Sequence, residues 1–160
     1  YNDGSIQSIL KTNFSDNQAQ NGAGIFNDSF IVLISLSNFN NNIASEDGGG
    51  IFNSTINTIG SIRESNFISN EGKYGGGISN GGLLALISQT YFSGNTANID
   101  GGAIDNNALI DTIDNSTFIF NDAASFGGAI SNFADLAPVL ILTISNNQFT
   151  ANTAGVSGGA

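Results

Sequence analysis

The sequence predicts an all-β fold, a single-stranded parallel β-helix, on three observations. First, a phrase that begins Phe-x-x-Asn occurs six times, with successive Phe residues 25 to 31 positions apart. Second, each phrase reaches a cluster of Gly and Ala eight or nine positions after its Phe. Third, the remaining segments are short β-rich runs broken by Gly, Asn, Asp and Ser, without sustained helical periodicity. Self-similarity at a period of 20 to 50 residues is typical of stacked repeats.

Each repeat of about 26 residues has room for about three short strands and three turns, so six repeats predict about six coils. Parallel pairing would place the coils about 4.8 Å apart and give a rise of about 29 Å. We expect one domain, residues 1–160, without separate caps. The segment from Phe133 to Pro138 is predicted to be a turn, since Pro cannot donate to a ladder. The predicted coil boundaries are approximately 1–28, 29–54, 55–82, 83–107, 108–137 and 138–160.

Residues at equivalent positions of stacked coils should form columns along the solenoid. Inward columns of Phe and Ile would exclude water, and Asn side chains can both donate and accept hydrogen bonds along a stack. We therefore interpret the Phe and Asn of the repeated phrase as structural ladders. The predicted Phe ladder is Phe14, Phe39, Phe67, Phe92, Phe118 and Phe149. The predicted Asn ladder is Asn17, Asn42, Asn70, Asn95, Asn121 and Asn152.

The two repeated sequence motifs, Phe-x-x-Asn followed by Gly-Gly-Ala-Ile, resemble the repeats of the chlamydial polymorphic outer-membrane proteins and related bacterial surface proteins. The resemblance covers essentially the whole chain and is closest in residues 92–103, 118–129 and 149–160. It implies a right-handed β-helix that is exported, exposed at the cell surface and often adhesive. The expected localisation is therefore extracellular or at the cell surface.

Composition excludes several classes of partner. The net charge is −10, and Lys11, Arg63 and Lys73 are the only basic residues. Nucleic-acid binding needs a cationic surface, and so does electrostatic attraction to an anionic membrane. We therefore expect neither a nucleic acid nor an anionic membrane as a partner. No apolar run approaches the length of a membrane span, so we expect no membrane insertion by this segment. Charged residues make up only 10% of the chain, which suits a secreted protein better than a cytosolic one.

The chain contains no His and no Cys. Ser-His-Asp and Cys-His catalysis are therefore excluded, and so are zinc sites built from His and Cys. We predict no catalytic residue, no metal site and no cofactor.

One set of residues invites a functional interpretation. The position just before the Gly cluster holds Asp47, Tyr74 and Asp100 in three successive repeats. Stacking would place the two Asp residues about 9.6 Å apart at the backbone, near the carboxylate separation of inverting glycosidases. An aromatic ring between them could stack on a sugar. An Asp that precedes a Gly is also common in turns. These residues are therefore either glycan contacts or solvated turn residues.

The expected function is that of a non-enzymatic extracellular β-solenoid, a structural or adhesive rod. Joining the last residues of the chain to the first continues the repeat across Gly158 and Tyr1. We therefore expect end-to-end stacking, either as a head-to-tail filament subunit or as part of a longer surface-protein passenger. A host-surface or matrix glycan is the other expected partner. The alternative interpretation is a glycan-binding or polysaccharide-cleaving parallel β-helix.

Overall fold

The computed structural model describes residues 1–133 and 139–160. These residues form an all-β solenoid with 23 strands and no helix, and all strand pairings are parallel. The predicted fold class is confirmed. Because no described residue is helical, this part of the chain offers no helix that could span a membrane. Residues 134–138 of the predicted turn, together with the predicted boundary after residue 137, lie outside the described ranges.

The strands, numbered along the chain, form four sheets, and successive strands of one sheet come from successive coils. Sheet 1 has the longest strands: Ser5–Leu10 (β1), Phe30–Ser35 (β5), Thr58–Arg63 (β9), Leu83–Ser88 (β13), Leu109–Asp114 (β17) and Leu140–Ser145 (β21). Sheet 2 carries the Phe of each phrase: Asn13–Ser15 (β2), Asn38–Asn40 (β6), Asn66–Ile68 (β10), Tyr91–Ser93 (β14), Thr117–Ile119 (β18) and Gln148–Thr150 (β22).

Sheets 3 and 4 flank the Gly cluster of each coil. Sheet 3 precedes the cluster: Gln18–Ala19 (β3), Ile43–Ala44 (β7), Glu71–Tyr74 (β11), Thr96–Asp100 (β15), Asp122–Ala123 (β19) and Thr153–Ala154 (β23). Sheet 4 follows it: Ile25–Asn27 (β4), Ile51–Asn53 (β8), Ile78–Asn80 (β12), Ile104–Asn106 (β16) and Ile130–Asn132 (β20).

Each complete coil contains four strands, whereas about three were expected from the repeat length. The additional strand is the short one of sheet 3, which lies between the Asn of the phrase and the Gly cluster. It begins directly after the ladder Asn and is two residues long in four coils, four residues long in β11 and five residues long in β15.

The core is a continuous apolar column inside the coils. Two Ile or Leu residues of each sheet 1 strand, the Phe of sheet 2 and the first Ile of sheet 4 point inward and are fully buried in the central coils. Ile34 pairs with Ile62 and Ile62 with Ile87, so the same residue type is stacked from coil to coil. Burial of each such side chain contributes roughly 1.5–3 kcal/mol before the entropy of ordering is subtracted.

Three turns in each coil use a residue with positive φ. The turn after sheet 1 uses Lys11, Leu36, Glu64, Gln89, Asn115 and Asn146. The turn after sheet 2 uses Asp16, Asn41, Ser69, Gly94, Phe120 and Ala151. The turn before sheet 4 uses Gly22, Gly48, Gly75, Gly101, Gly127 and Gly158. In this last turn only Gly fits, since a Cβ on Gly48 would lie 2.1 Å from the carbonyl oxygen of Ile51.

Candidate functional site

The Asn residues of the repeated phrase form one hydrogen-bonded ladder inside the solenoid. The side-chain nitrogen of each donates to the side-chain oxygen of the Asn in the next coil, over 2.8 to 2.9 Å from Asn17 to Asn152. In the middle of the ladder, Asn95 Nδ2 also donates to the carbonyl oxygen of Phe67, and Asn95 Oδ1 accepts from the backbone N–H of Asn70. The amides thus satisfy turn backbone that burial removes from water.

A second ladder runs along the end of each sheet 4 strand. Its side chains are linked by hydrogen bonds of 2.7 to 2.8 Å, and its described members are Asn2, Asn27, Asn53, Asn80, Asn106 and Asn132. Asn80 Nδ2 also donates to the carbonyl oxygen of Gly82, in the turn that leads to sheet 1. Both Asn ladders therefore hold bends of the chain rather than a ligand.

The Phe residues of the phrase form a stack inside sheet 2. Neighbouring rings have centroids 4.5 to 4.9 Å apart and planes within 11° of parallel, from Phe14 to Phe149. The four middle rings, those of Phe39, Phe67, Phe92 and Phe118, are fully buried. These side chains are structural because no solvent reaches them.

The outer face of sheet 4 is the place where chemically varied side chains meet. In each strand the first Ile faces the core and the last Asn joins the second ladder, so the middle residue faces outward. The middle residues pair in register from coil to coil: Phe26, Phe52, Ser79, Asp105 and Ser131. Although they face outward, Ser79 and Asp105 are only 3% exposed. The middle of this face is therefore shielded from solvent.

One flank of this face carries the residues that the sequence singled out. Asp47 pairs with Tyr74 and Tyr74 with Asp100, so the two Asp residues lie two coils apart with the aromatic residue between them. The carboxylate of Asp100 is anchored, since its Oδ1 accepts a 2.9 Å hydrogen bond from the backbone N–H of Phe126 in the next coil. The structure thus brings Asp47, Tyr74 and Asp100 onto one line along the solenoid.

Asp105 is the residue that sequence reasoning missed. Burial raises its pKa to about 7, and hydrogen bonds from Asn107 and Ser131 oppose that rise only in part. The carboxylates of Asp100 and Asp47 raise the pKa of Asp105 further, which places all three acids around the same face. The signal was present in the sequence, because Asp105 occupies a position at which the other coils have Phe or Ser.

Asp47 lies at the opposite end of the line from Asp100, close to side chains of both charges. Burial raises its pKa, the nearby carboxylate of Glu46 raises it further, and the ammonium group of Lys73 lowers it. Lys73 is held by a 2.8 Å ion pair with Glu46 and lies 5.5 Å from the centre of the Tyr74 ring. Within residues 1–133 and 139–160, no group of three or more acidic side chains is close enough to hold a metal ion.

A cavity of about 450 Å³ opens at the far end of the same face. Phe126 and Phe133 contribute its aromatic walls, and both rings are largely exposed, at 48% and 61%. Asp100, Ile130, Ser131 and Asn132 also line it, together with backbone of Gly127, Gly158 and Ala160. The cavity was not predicted, since its walls come from separate turns that only the fold brings together.

Comparison with known proteins gives one family. The family model of the Chlamydia polymorphic membrane protein repeat matches residues 37–54 and 89–107. These coils are similar to that repeat. Each matched segment contains one Phe-x-x-Asn phrase, one Gly cluster and one sheet 4 strand. Neither the curated proteins nor the solved structures compared with the chain gave a match.

The resemblance expected from the repeated phrase is thus borne out by the match to this repeat. The matched segments include Asp47 in one case and Asp100 and Asp105 in the other, so these acids lie on coils that are similar to this repeat. Together with the fold, the match supports a β-helix module of the kind found in surface proteins.

Proposed function

We propose that this chain is a non-enzymatic β-solenoid rod of an extracellular or cell-surface protein, with a structural or adhesive role. We also propose that it stacks end to end with a further parallel coil, of a second copy or of the same polypeptide. The observation that carries this proposal is the unbroken register of the columns in sheets 1 and 2. Each of these two sheets pairs strand to strand through six coils, and the same residue types recur from one outermost coil to the other.

The two outermost coils are complementary in their residues. Ile9 and Ile144 share one inward column, as do Phe14 and Phe149 in the next sheet. Ile144 is 50% exposed, whereas Ile34 in the same column is fully buried. A coil placed on Ile144 would bury its apolar side chain and pair the backbone of β21. Head-to-tail stacking would do this with the same spacing that already joins the coils.

The non-enzymatic part of the proposal rests on the accessibility of the acids. Asp105 has a carboxyl group near neutral pKa beside Asp100, the pairing that acid–base hydrolysis of glycosides uses. Its side chain is nevertheless only 3% exposed and accepts a hydrogen bond from Asn107. A general acid must reach the atom that it protonates, and a covered carboxyl group cannot do so.

The stacking proposal is tested with two charge substitutions in the same strand. Ile144→Asp places a carboxylate in the inward column. Leu142→Asp places one on the outer face, which already has an acid in the neighbouring strand, since Asp111 of β17 lies opposite Leu142. In sedimentation velocity, we expect the 160-residue chain and Leu142→Asp to associate with rising concentration and Ile144→Asp to stay monomeric. Unchanged circular dichroism would show that both variants fold. A parent chain that stays monomeric at high concentration would contradict the proposal.

A further inference from the structure

The outer face of sheet 2 differs from the rest of the rod because it carries no charge. In each of its six strands the middle Phe faces the core, so the residues on either side of that Phe face outward. All of these outward residues are Asn, Gln, Ser, Thr, Ile or Tyr, and none is buried. Sheets 1, 3 and 4 each include charged side chains, among them Arg63, Glu71 and Asp105. An uncharged face therefore runs along a chain whose net charge is −10.

An apolar patch lies in the middle of this uncharged face. Tyr91 is 38% exposed, and in the neighbouring column Ser93 lies between Ile68, which is 37% exposed, and Ile119. The three apolar side chains come from three adjacent strands, which span about 9.6 Å at the backbone. Sheet 2 continues past the patch on both sides, through β6 and through β22. The patch therefore belongs to the interior of the rod and not to either outermost coil.

Amide and hydroxyl groups border the patch. Asn66 and Thr117 flank Tyr91 in its column, and Asn66 Nδ2 donates to Asn38 Oδ1 over 2.8 Å. The hydrogen bonds of these outer amides are incomplete, since Asn40 Oδ1 accepts none from the described residues. In the two inner ladders, by contrast, each amide is linked to the next over 2.7 to 2.9 Å. The outer amides thus keep the capacity to bind donors and acceptors of a partner.

These groups restrict the chemistry of a partner. An anion would find no cationic side chain among the outward residues of sheet 2, and a cation would find no carboxylate. A purely apolar partner would remove amides and hydroxyls from water without replacing their hydrogen bonds, at a cost. A neutral saccharide meets both conditions, because its C–H faces can lie on an aromatic ring and its hydroxyls both donate and accept.

We propose that the outer face of sheet 2 binds a neutral, linear saccharide. One sugar unit lies against the ring of Tyr91, between Ile68 and Ile119. Its hydroxyls bond to the side chains of Asn66 and Thr117, and the row of amides that continues from Asn66 toward the first coil receives the next unit. This inference rests on the adhesive role proposed above and gives that role a class of ligand.

The test measures binding of cellohexaose, chitohexaose and mannohexaose to the 160-residue chain by saturation-transfer NMR and calorimetry, with a hexagalacturonate as the anionic comparison. We expect at least one neutral probe to bind and the anionic probe not to bind. Tyr91→Ala should weaken binding about tenfold, whereas Tyr91→Phe should keep most of it because the ring remains. Phe30→Ala is the matched control and should leave binding unchanged, since Phe30 is 40% exposed on the outer face of sheet 1.

Three results would overturn the inference. They are the absence of binding by any neutral probe at millimolar concentration, binding that Tyr91→Ala leaves unchanged, and binding that Phe30→Ala weakens as much as Tyr91→Ala does. If Tyr91→Ala instead alters self-association in sedimentation velocity, the face contacts a second copy and the saccharide site is wrong. Failure here is separable from failure of the stacking proposal, which is judged from Ile144→Asp in the core column of sheet 1.

Discussion

At the scale of single residues, the buried amides of this protein make their hydrogen bonds along the axis of the solenoid. Asn95 donates to Asn121 and to the carbonyl oxygen of Phe67, and accepts from both nitrogens of Asn70. A buried group that loses such a partner costs about 1–3 kcal/mol. This explains why a chain so rich in Asn forms a core: the amides satisfy one another where the backbone bends away from its sheets.

Among the buried polar residues that the structure describes, Asp105 is the one that carries a titratable group. Its pKa in the folded protein is about 7, well above the value of an unfolded Asp, chiefly because burial disfavours the carboxylate. Between these two pKa values the folded protein binds more protons than the unfolded chain. The free energy of unfolding should therefore fall as pH rises from about 4 to about 7 and then level off.

This gives a residue-scale prediction. From pH 5 to pH 8, the free energy of unfolding should fall by about 2 kcal/mol through Asp105, and Asp105→Asn should remove most of that loss because an amide does not ionise. Asp111→Asn, a partly exposed Asp on sheet 1, is the control and should keep the pH dependence of the parent chain. Urea denaturation at a series of pH values measures both. Equal pH dependence in Asp105→Asn and the parent would contradict the assignment.

At the scale of elements, the turns explain how each coil closes. Three positions with positive φ recur in each complete coil, and the coil of β9 has a fourth at Ile56. Two of the recurring positions are often filled by residues that disfavour this conformation, including Leu36 and Phe120. A left-handed conformation costs a non-Gly residue roughly 1–2 kcal/mol. The regular pairing of the flanking strands holds these residues in place, so the strain is distributed over the turns of the solenoid.

A substitution in one turn tests this explanation. Leu36 is 45% exposed with φ of 53°, and Asn occupies the equivalent position at Asn115 and Asn146. Leu36→Asn should raise the free energy of unfolding by about 0.5–1 kcal/mol, because Asn tolerates the left-handed region and little buried area is lost. Ile43→Asn, at a similarly exposed residue inside a strand, should not stabilise. Thermal and urea unfolding of the three proteins would decide, and destabilisation by Leu36→Asn would contradict the account.

The elements also mark the limit of prediction from sequence. The period of the Phe-x-x-Asn phrase predicts parallel stacking and the register that pairs Phe67 with Phe92. The fourth strand per coil was not predicted, because two-residue strands such as Ile43–Ala44 have no periodicity to detect. The left-handed turns at Leu36 and Phe120 were not predicted either, since the side chains there contradict local preference and only tertiary pairing imposes the conformation.

At the scale of the whole molecule, the outer surface follows different rules from the core. Inward columns repeat because each coil must fit the next, and repetition is visible in the sequence. The outer face of sheet 4 varies from Phe26 to Asp105, and its middle residues Ser79 and Asp105 are almost fully buried. The row of Asp47, Tyr74 and Asp100 could be predicted from its constant place before the Gly cluster. Asp105 is visible in the sequence as a departure within its column, but its burial and raised pKa depend on the folded structure and could not be predicted.

The central claim is that one outermost coil of the rod continues in register onto a parallel coil. A paired cysteine variant tests it directly, since the chain has no native Cys. Ser15 and Thr150 share one column of sheet 2 and lie in its two outermost strands. Neighbouring parallel strands are about 4.8 Å apart, within the Cα separation that a disulfide bridges.

The measurement is a non-reducing gel of the Ser15→Cys/Thr150→Cys double variant after mild oxidation. In-register stacking predicts a ladder of covalent multimers of the 16.4 kDa chain that collapses on reduction. The control is Ser15→Cys/Ile119→Cys, whose second Cys lies in the same column but one coil inside the rod, and it should give far fewer multimers. If the Ser15→Cys/Thr150→Cys variant stays monomeric, or if both variants give the same ladder, the coils do not stack end to end in register.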